Sequence, residues 1–192
     1  MTARRPGGRL LAALLLTAFT VPALAWTHTF QDPGITGTLS GGDDDVLATE
    51  CRLTLDRPPE AVVAVLTDYD RIGEWMPDTV EYKVLKREGL NGRFYRHSKT
   101  PFFMKKLWAI VDATVTTGED KKTHVTWHRT EGTITLFDAT FDVEPAPQGA
   151  TVTYKVRTAV PLSMPGFLLK RVGSEAILDT LRGLRAAVYA RK

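Results

Sequence analysis

The chain has 192 residues, of which 43% are hydrophobic, with 25 Lys and Arg against 22 Asp and Glu. The basic excess equals the three arginines of the N-terminal segment, Arg4, Arg5 and Arg9, so the rest of the chain is balanced at 22 against 22. This balance argues against the strongly basic surface of a nucleic-acid-binding protein. The single cysteine, Cys51, excludes an intrachain disulfide and is expected to be a small apolar strand residue.

Residues 1–25 have the pattern of a cleavable export signal. The three arginines precede an apolar run that ends in an Ala-x-Ala site at Ala23–Ala25. The run of about a dozen apolar residues is short for a bilayer span, which needs about 20. We therefore expect cleavage after Ala25 and a periplasmic or secreted protein that begins at Trp26. The alternative is an uncleaved anchor or a buried helix.

The segment after the signal is rich in Gly, Asp and Thr and has no clear periodicity. We predict that residues 26–45 form a linker or N-terminal arm, and that residues 46–192 form the domain. After cleavage about 167 residues remain, a length that suits one domain with a hydrophobic core.

Alternating apolar residues predict most of the secondary structure from residue 46 onward. Pro58 and Pro59 can open a short helix after the first strand, and a second short helix follows. The last segment, 165–192, is one long amphipathic helix. Short turn-type connections imply antiparallel neighbours. The predicted strands are about 46–55, 79–88, 93–101, 106–117, 122–131, 133–144 and 150–161. The prediction is an α+β fold with a seven-stranded curved antiparallel sheet wrapped around the C-terminal helix.

The same alternation assigns side chains to the inner face of the sheet. Trp127 and Arg129 are expected to point inward together with Phe137, Phe141 and Tyr154. The facing of the third strand stays open, because Phe94, Arg96 and Ser98 alternate with Tyr95, His97 and Lys99, and both sets mix polar and aromatic residues.

The order strand, two short helices, six strands and long helix resembles the helix-grip fold of the START-like (SRPBCC) superfamily. Within it, Leu66-Thr-Asp-Tyr69 and the Trp75-Met-Pro77 corner look like the polyketide cyclase/dehydrase and coenzyme Q-binding START-type families, over residues 46–192. The resemblance implies that a hydrophobic molecule binds in a cavity under the last helix. Because such families contain both carriers and enzymes, the fold alone selects no reaction.

A ligand cavity of this kind needs a few polar groups among apolar ones. Arg129 could meet a ligand oxygen, or could instead reach water or pair with an acidic neighbour. Tyr154 could orient a ligand, or could be a core tyrosine satisfied by the backbone. In the last helix, the small residues Gly173, Ala176, Thr180, Gly183 and Ala187 share one side, which either leaves room for a ligand or packs on the sheet. The candidate ligand-binding residues are Trp127, Arg129, Phe137, Phe141, Tyr154, Gly173, Ala176, Ile177 and Thr180.

Strand alternation brings several apolar connections to one end of the sheet. This end could be a cavity mouth that touches a membrane surface, or its side chains could fold inward and plug the sheet. Lys105, Lys106, Lys170 and Arg171 flank it. The candidate mouth residues are Trp75, Met76, Phe102, Phe103, Met104, Met164 and Phe167.

The sequence offers little support for a metal, a cofactor or a catalytic group. His124 and His128 would lie about 13 Å apart along a strand, too far to share one ion. We favour a carrier of a lipid, isoprenoid quinone or polyketide-like molecule, with no cofactor and no predicted catalytic residue. One alternative is a cyclase/dehydrase-type enzyme in which Arg129 and Tyr154 polarise a carbonyl. The other is a protein-interaction module that uses the outer-face residues Trp108, Ile110, Ile134 and Leu136.

Overall fold

The computed structural model describes residues 26–41, 46–100, 106–159 and 166–191. Among these residues, no helix is both long enough and apolar enough to cross a membrane. Along the chain the elements are β1 (Trp26–Asp32), β2 (Ile35–Gly41), β3 (Val46–Leu55), α1 (Pro59–Leu66), α2 (Ile72–Trp75), β4 (Thr79–Glu88), β5 (Asn91–Ser98), β6 (Leu107–Thr117), β7 (Thr123–Gly132), β8 (Leu136–Ala146), β9 (Gly149–Ala159) and α3 (Gly166–Ala190).

The strands form one antiparallel sheet in the order β1-β2-β3-β9-β8-β7-β6-β5-β4. The chain leaves the sheet after β3, makes the two short helices, and re-enters at the opposite edge with β4. Pro58 is the residue that caps α1 and Pro59 begins it, as the sequence predicted. Both α1 and α2 contact α3. This arrangement confirms the helix-grip architecture.

The sheet has nine strands in the described residues, where the sequence predicted seven. Residues 26–41, expected to be a linker or arm, form the hairpin β1–β2, which pairs with β3. Ile35 and Leu39 of β2 are fully buried. Gly37 and Gly41 occupy the other two inward positions of β2. The ring of Phe30 approaches the backbone at Gly37, and the ring of Trp26 approaches it at Gly41. The alternation was missed because half of the inward residues are glycines.

The hairpin is held against α3 by charge and by packing. Asp32, at the end of β1, forms ion pairs with Arg182 at 3.1 Å and with Arg185 at 3.5 Å. Leu39 packs on Gly173, where an added Cβ would come within 3.0 Å of the leucine side chain. Because exposed ion pairs each contribute about 0–1 kcal/mol, the apolar contact is the more important of the two. The hairpin therefore belongs to the same packed unit as the helix.

The core lies between the inner face of the sheet and the three helices. Val125, Trp127 and Phe141 are completely buried, and Tyr154 is nearly so, which confirms the inward facing predicted for β7, β8 and β9. The helix α3 contributes its own apolar side, with Leu181, Leu184 and Val188 all fully buried. The space in which the sequence predicted a ligand is therefore bounded by the sheet on one side and by the helices on the other.

Candidate functional site

A narrow cavity lies inside this core, toward the end of the sheet where β5 ends and β6 begins. Its volume is about 20 Å³, which is enough for about one water molecule. A lipid-sized ligand therefore requires the surrounding side chains to move, as often happens when a protein closes around its ligand. The described residues that line it are Met76, Phe94, Arg96, Ser98, Ala109, Val111, Trp127, Ile134 and Phe137.

A chain of aromatic rings closes the inner side of the cavity. The ring centroids of Trp75 and Trp127 are 6.2 Å apart, and those of Trp127 and Phe141 are 5.0 Å apart. Phe141 stacks on Tyr154 at 4.5 Å, and Phe94 meets Trp127 edge-on at 5.5 Å. Each such pair contributes about 0.5–1.5 kcal/mol beyond burial, so these ring contacts stabilise the wall.

Two indole N–H groups in this wall have no acceptor among the described residues. They are Nε1 of Trp75 and Nε1 of Trp127, and both atoms are buried. A buried donor without an acceptor costs about 1–3 kcal/mol. An oxygen atom of a bound molecule inside the core would remove this cost. Of the two residues, Trp127 borders the cavity, whereas Trp75 borders a surface groove between α2 and α3. The cavity therefore combines an apolar lining with an unused hydrogen-bond donor, as small-molecule sites do.

Arg96 is the charged group of the cavity. Its Nη2 donates to the Pro77 carbonyl at 2.5 Å, and its Nε donates to the Thr79 hydroxyl at 3.0 Å. Burial of the guanidinium lowers the pKa of Arg96. The structure thus settles the facing of the third predicted strand: Phe94, Arg96 and Ser98 point inward. Alternation alone could not make this choice, because the hydrogen-bond partners of Arg96 come from the corner between α2 and β4.

Arg129 and Tyr154, the two polar residues predicted for the site, do not line the cavity. Arg129 lies opposite Val111 in the sheet, and its Nη2 donates to the Gly132 carbonyl at 2.8 Å. Its Nε is buried without a partner among the described residues. Tyr154 stacks behind Phe141, and burial raises the pKa of its hydroxyl, which stays protonated at neutral pH. Of the predicted strand residues, only Trp127 and Phe137 border the cavity itself.

The small-residue side of α3 packs closely in this structure. A Cβ added to Gly183 would overlap the main-chain carbonyl oxygen of Trp75, so this glycine lets α2 and α3 approach. Thr180 is buried and its hydroxyl donates to the Ala176 carbonyl at 2.9 Å, while Ile177 is partly buried. Ala176 is exposed, contrary to the prediction, because the buried side of α3 is centred on its leucines.

The predicted mouth residues divide into three groups. Met76 is buried and lines the cavity, and Trp75 packs on Trp127, so this corner folds inward. Phe167 is 76% exposed. The other four, Phe102, Phe103, Met104 and Met164, lie outside the described residues.

The apolar outer-face patch is smaller than the sequence predicted. Ile134 lines the internal cavity, because residues 133–135 leave the strand between β7 and β8. The amide groups of Thr133 and Ile134 both donate to the Trp108 carbonyl and pull this segment over the sheet end. Trp108 itself is partly buried and packs against Tyr95, with ring centroids 5.8 Å apart.

A wider concavity of about 360 Å³ lies on the surface between α2 and α3. Ala186 and Ala190 form part of its wall, and the ion pair of Asp68 with Arg191, at 2.8 Å, stands at its rim. This groove is the larger space, but Asp68 and Arg191 already satisfy each other. The unpartnered indole N–H of Trp127 and the cation with neutral partners make the internal cavity the better candidate for a ligand site.

Comparison with known proteins agrees with the architecture. The crystal structure of a STAR-related lipid transfer protein from Xanthomonas axonopodis is similar with a TM-score of 0.71 and 20% identity, covering 85% of this chain and 98% of that one. Human STARD10 has a TM-score of 0.70 at 12% identity, covering 86% of this chain and 74% of its own. A Streptomyces aromatase/cyclase has a TM-score of 0.60 at 11% identity, covering 76% and 95%. At these identities the likeness establishes the fold.

Sequence comparison identifies the family. The uncharacterized protein PA1579 of Pseudomonas aeruginosa is 30% identical over an alignment of 140 residues, and the match covers 62% of this chain and 63% of that protein. The chain thus matches less than two thirds of the length of this relative. The family model described as "Polyketide cyclase / dehydrase and lipid transport" matches residues 49–188, from β3 to near the end of α3. The chain therefore belongs to this family, and its fold is that of START-like proteins.

Proposed function

We propose that this protein binds and carries a hydrophobic small molecule, such as a lipid, an isoprenoid quinone or a polyketide-like ring, between the sheet and α3. The observation that carries the proposal is the internal cavity, where an apolar lining meets the guanidinium of Arg96 and the buried indole N–H of Trp127, which has no acceptor among the described residues. Apolar burial of about 25 cal/mol per Å² would drive binding, and the donors would orient the ligand. The lipid transfer proteins among its structural neighbours support the same class of function.

The lining favours carriage over catalysis. Among the described lining residues, Arg96 is the one charged side chain, and none is a carboxylate, imidazole or thiol. General acid–base chemistry needs a group that exchanges protons near neutral pH. Arg129 and Tyr154, which would polarise a carbonyl in the enzyme alternative, do not line the cavity, and Tyr154 stacks on Phe141.

The proposal is tested with two identical substitutions at sites of opposite exposure. Ala109 lines the cavity and is 4% exposed, whereas Ala176 is exposed on α3. Ala109→Leu should weaken the binding of N-phenyl-1-naphthylamine, a neutral lipophilic dye, by about tenfold or more, because it fills the site. Ala176→Leu should leave binding unchanged. Equal affinities for both variants and the wild type, with all three folded by circular dichroism, would place the ligand elsewhere.

We also propose that the protein is exported. The support is the basic, apolar and Ala-x-Ala pattern that ends at Ala25, in a segment outside the described residues. N-terminal sequencing of protein from its native host should begin at Trp26. A chain that keeps its initiator segment and stays in the cytosol would contradict export.

A transient contact with a membrane would complete the carrier function. Phe167 and Val172 are 76% and 47% exposed, and the basic residues Lys170 and Arg171 lie between them on the first turns of α3. Apolar and basic groups together suit an anionic lipid surface. Flotation with phosphatidylglycerol vesicles should show weak, salt-sensitive binding that Phe167→Ser reduces. Binding unaffected by salt and by this substitution would remove α3 from the contact.

A further inference from the structure

Arg96 occupies an unusual position for a cation. It projects from β5 into the core, next to Phe94 and Trp127, and it borders the internal cavity. Its two hydrogen bonds within the described residues go to neutral oxygens, the Pro77 carbonyl and the Thr79 hydroxyl. A guanidinium has five N–H donors, so these two acceptors leave several of its donors unused.

The charge of Arg96 is not balanced by an ion pair in the described part of the chain. All the other arginines of β4–β6 differ from it: Arg87 pairs with Asp70 at 2.8 Å, and Arg93 pairs with Glu131 at 3.2 Å. For Arg96, no carboxylate oxygen of the described residues lies within 4.0 Å. The carboxylate whose field it feels is that of Asp78, which is exposed to solvent.

Arg96 is partly buried, and removing a cation from water with only neutral partners costs free energy unless an anion is supplied. Arg96 is held in place before any ligand arrives, because Pro77 and Thr79 fix its guanidinium from the α2–β4 corner. A preorganised guanidinium is the group best suited to carboxylate and phosphate oxygens, which it binds in a two-pronged manner. The side chains around it, among them Phe94, Val111 and Phe137, are apolar and would contact a hydrocarbon tail once the cavity has widened.

We propose that Arg96 is the receptor for an anionic head group, and that the ligand of this protein is an amphiphile with a carboxylate or phosphate at one end and an apolar tail. The inference rests on the proposed function and narrows it to acidic lipids. The indole N–H of Trp127, which borders the same cavity and has no acceptor among the described residues, can donate to a further oxygen of the ligand. Neutral lipids of the same length would bind through their tails alone.

The test compares three ligands that share one tail: dodecanoate, dodecyl phosphate and dodecanol. Each displaces N-phenyl-1-naphthylamine from the mature protein, and calorimetry confirms the affinities. At least one anion should bind about 10- to 100-fold more tightly than dodecanol, the ratio expected for hydrogen bonds to a charged group. The better anion distinguishes a carboxylate from a phosphate head.

Two substitutions on the same strand assign the preference to its residue. Arg96→Met keeps much of the side-chain volume and removes the donors, so the ratio should fall to about threefold or less. Arg93→Met is the matched control, because Arg93 lies three residues earlier on the outer face and pairs with Asp112 and Glu131. It should retain the wild-type ratio.

The outcomes separate the two proposals. If dodecanol competes as well as both anions, the head-group proposal is wrong and hydrophobic binding stands. If the dye and all three ligands fail to bind, both proposals are wrong. If both arginine variants lose the preference equally, Arg96 is not the receptor. If Arg96→Met fails to fold, the ratio of the wild-type affinities for the anions and for dodecanol still tests the head-group proposal. Arg96→Lys, which keeps the charge, should then retain part of the preference for the anions.

Discussion

The two glycines of α3 provide a sharp test of how the helix is seated. Gly173 and Gly183 lie in the same helix, and replacing a mid-helix glycine by alanine stabilises a helix by about 1 kcal/mol when nothing opposes the methyl group. At Gly173 the new methyl would meet the end of the flexible Leu39 side chain at 3.0 Å. At Gly183 it would overlap the rigid Trp75 carbonyl oxygen.

The expected difference between the two variants follows from these contacts. Overpacking against a fixed group costs about 1–3 kcal/mol, while the propensity gain is common to both and cancels. The free energy of unfolding of Gly183→Ala should therefore be about 1–3 kcal/mol lower than that of Gly173→Ala, which should be close to wild type or slightly above it. Urea unfolding followed by circular dichroism measures both. A Gly183→Ala variant as stable as Gly173→Ala would show that α3 is not seated against α2 as described.

Two titrations test the environments of buried groups. Burial opposes ionisation of Asp142, but hydrogen bonds and charge from His124 and Lys155 outweigh it and hold the pKa of Asp142 below its ordinary 3.8. The ionised Asp142 therefore stabilises the fold above pH 3.8, and this stabilisation is lost as the pH falls through the lowered pKa. Asp142→Asn should unfold at a lower urea concentration than wild type at pH 7, and should lose less stability than wild type on acidification to about pH 2. Parallel profiles of stability against pH for the variant and the wild type would refute this. Burial raises the pKa of Tyr69 to about 12 and also raises the pKa values of Tyr82 and Tyr154, against an ordinary 10.0. These tyrosines stabilise the fold below pH 10.0, and their contribution is lost as the pH rises through the raised pKa values. In a titration followed by tyrosinate absorbance, three of the five tyrosines should therefore ionise only when the protein unfolds. Five reversible ionisations near pH 10 would be the contrary result.

Much of the fold could be predicted because its strands alternate clearly. The inward positions of Trp127 and Phe141 follow from period-two patterns that the burial of these residues confirms. The hairpin β1–β2 was missed because Gly37 and Gly41 take inward positions, where they carry no hydrophobic signal. A glycine at such a position reflects the crowding of neighbouring side chains, which a single sequence does not display.

The candidate site was less predictable, because its polar groups depend on tertiary contacts. Arg96 and His97 are adjacent in the sequence, and alternation alone could not decide which of them points inward. The decision rests on Pro77 and Thr79, which accept hydrogen bonds from Arg96. Arg129 looked equivalent in the sequence, but it does not line the cavity, and its Nη2 donates to the Gly132 carbonyl, three residues away.

The central claim is that the space beside Trp127 holds a hydrophobic ligand in the cell. Mass spectrometry of organic extracts from protein purified from its own host tests this most directly, with Ala109→Leu protein prepared in parallel. Wild-type protein should release one class of hydrophobic molecule at close to one equivalent, and Ala109→Leu should release much less. If the two extracts are the same, or if neither contains a molecule in stoichiometric amount, the protein does not carry a ligand at this site.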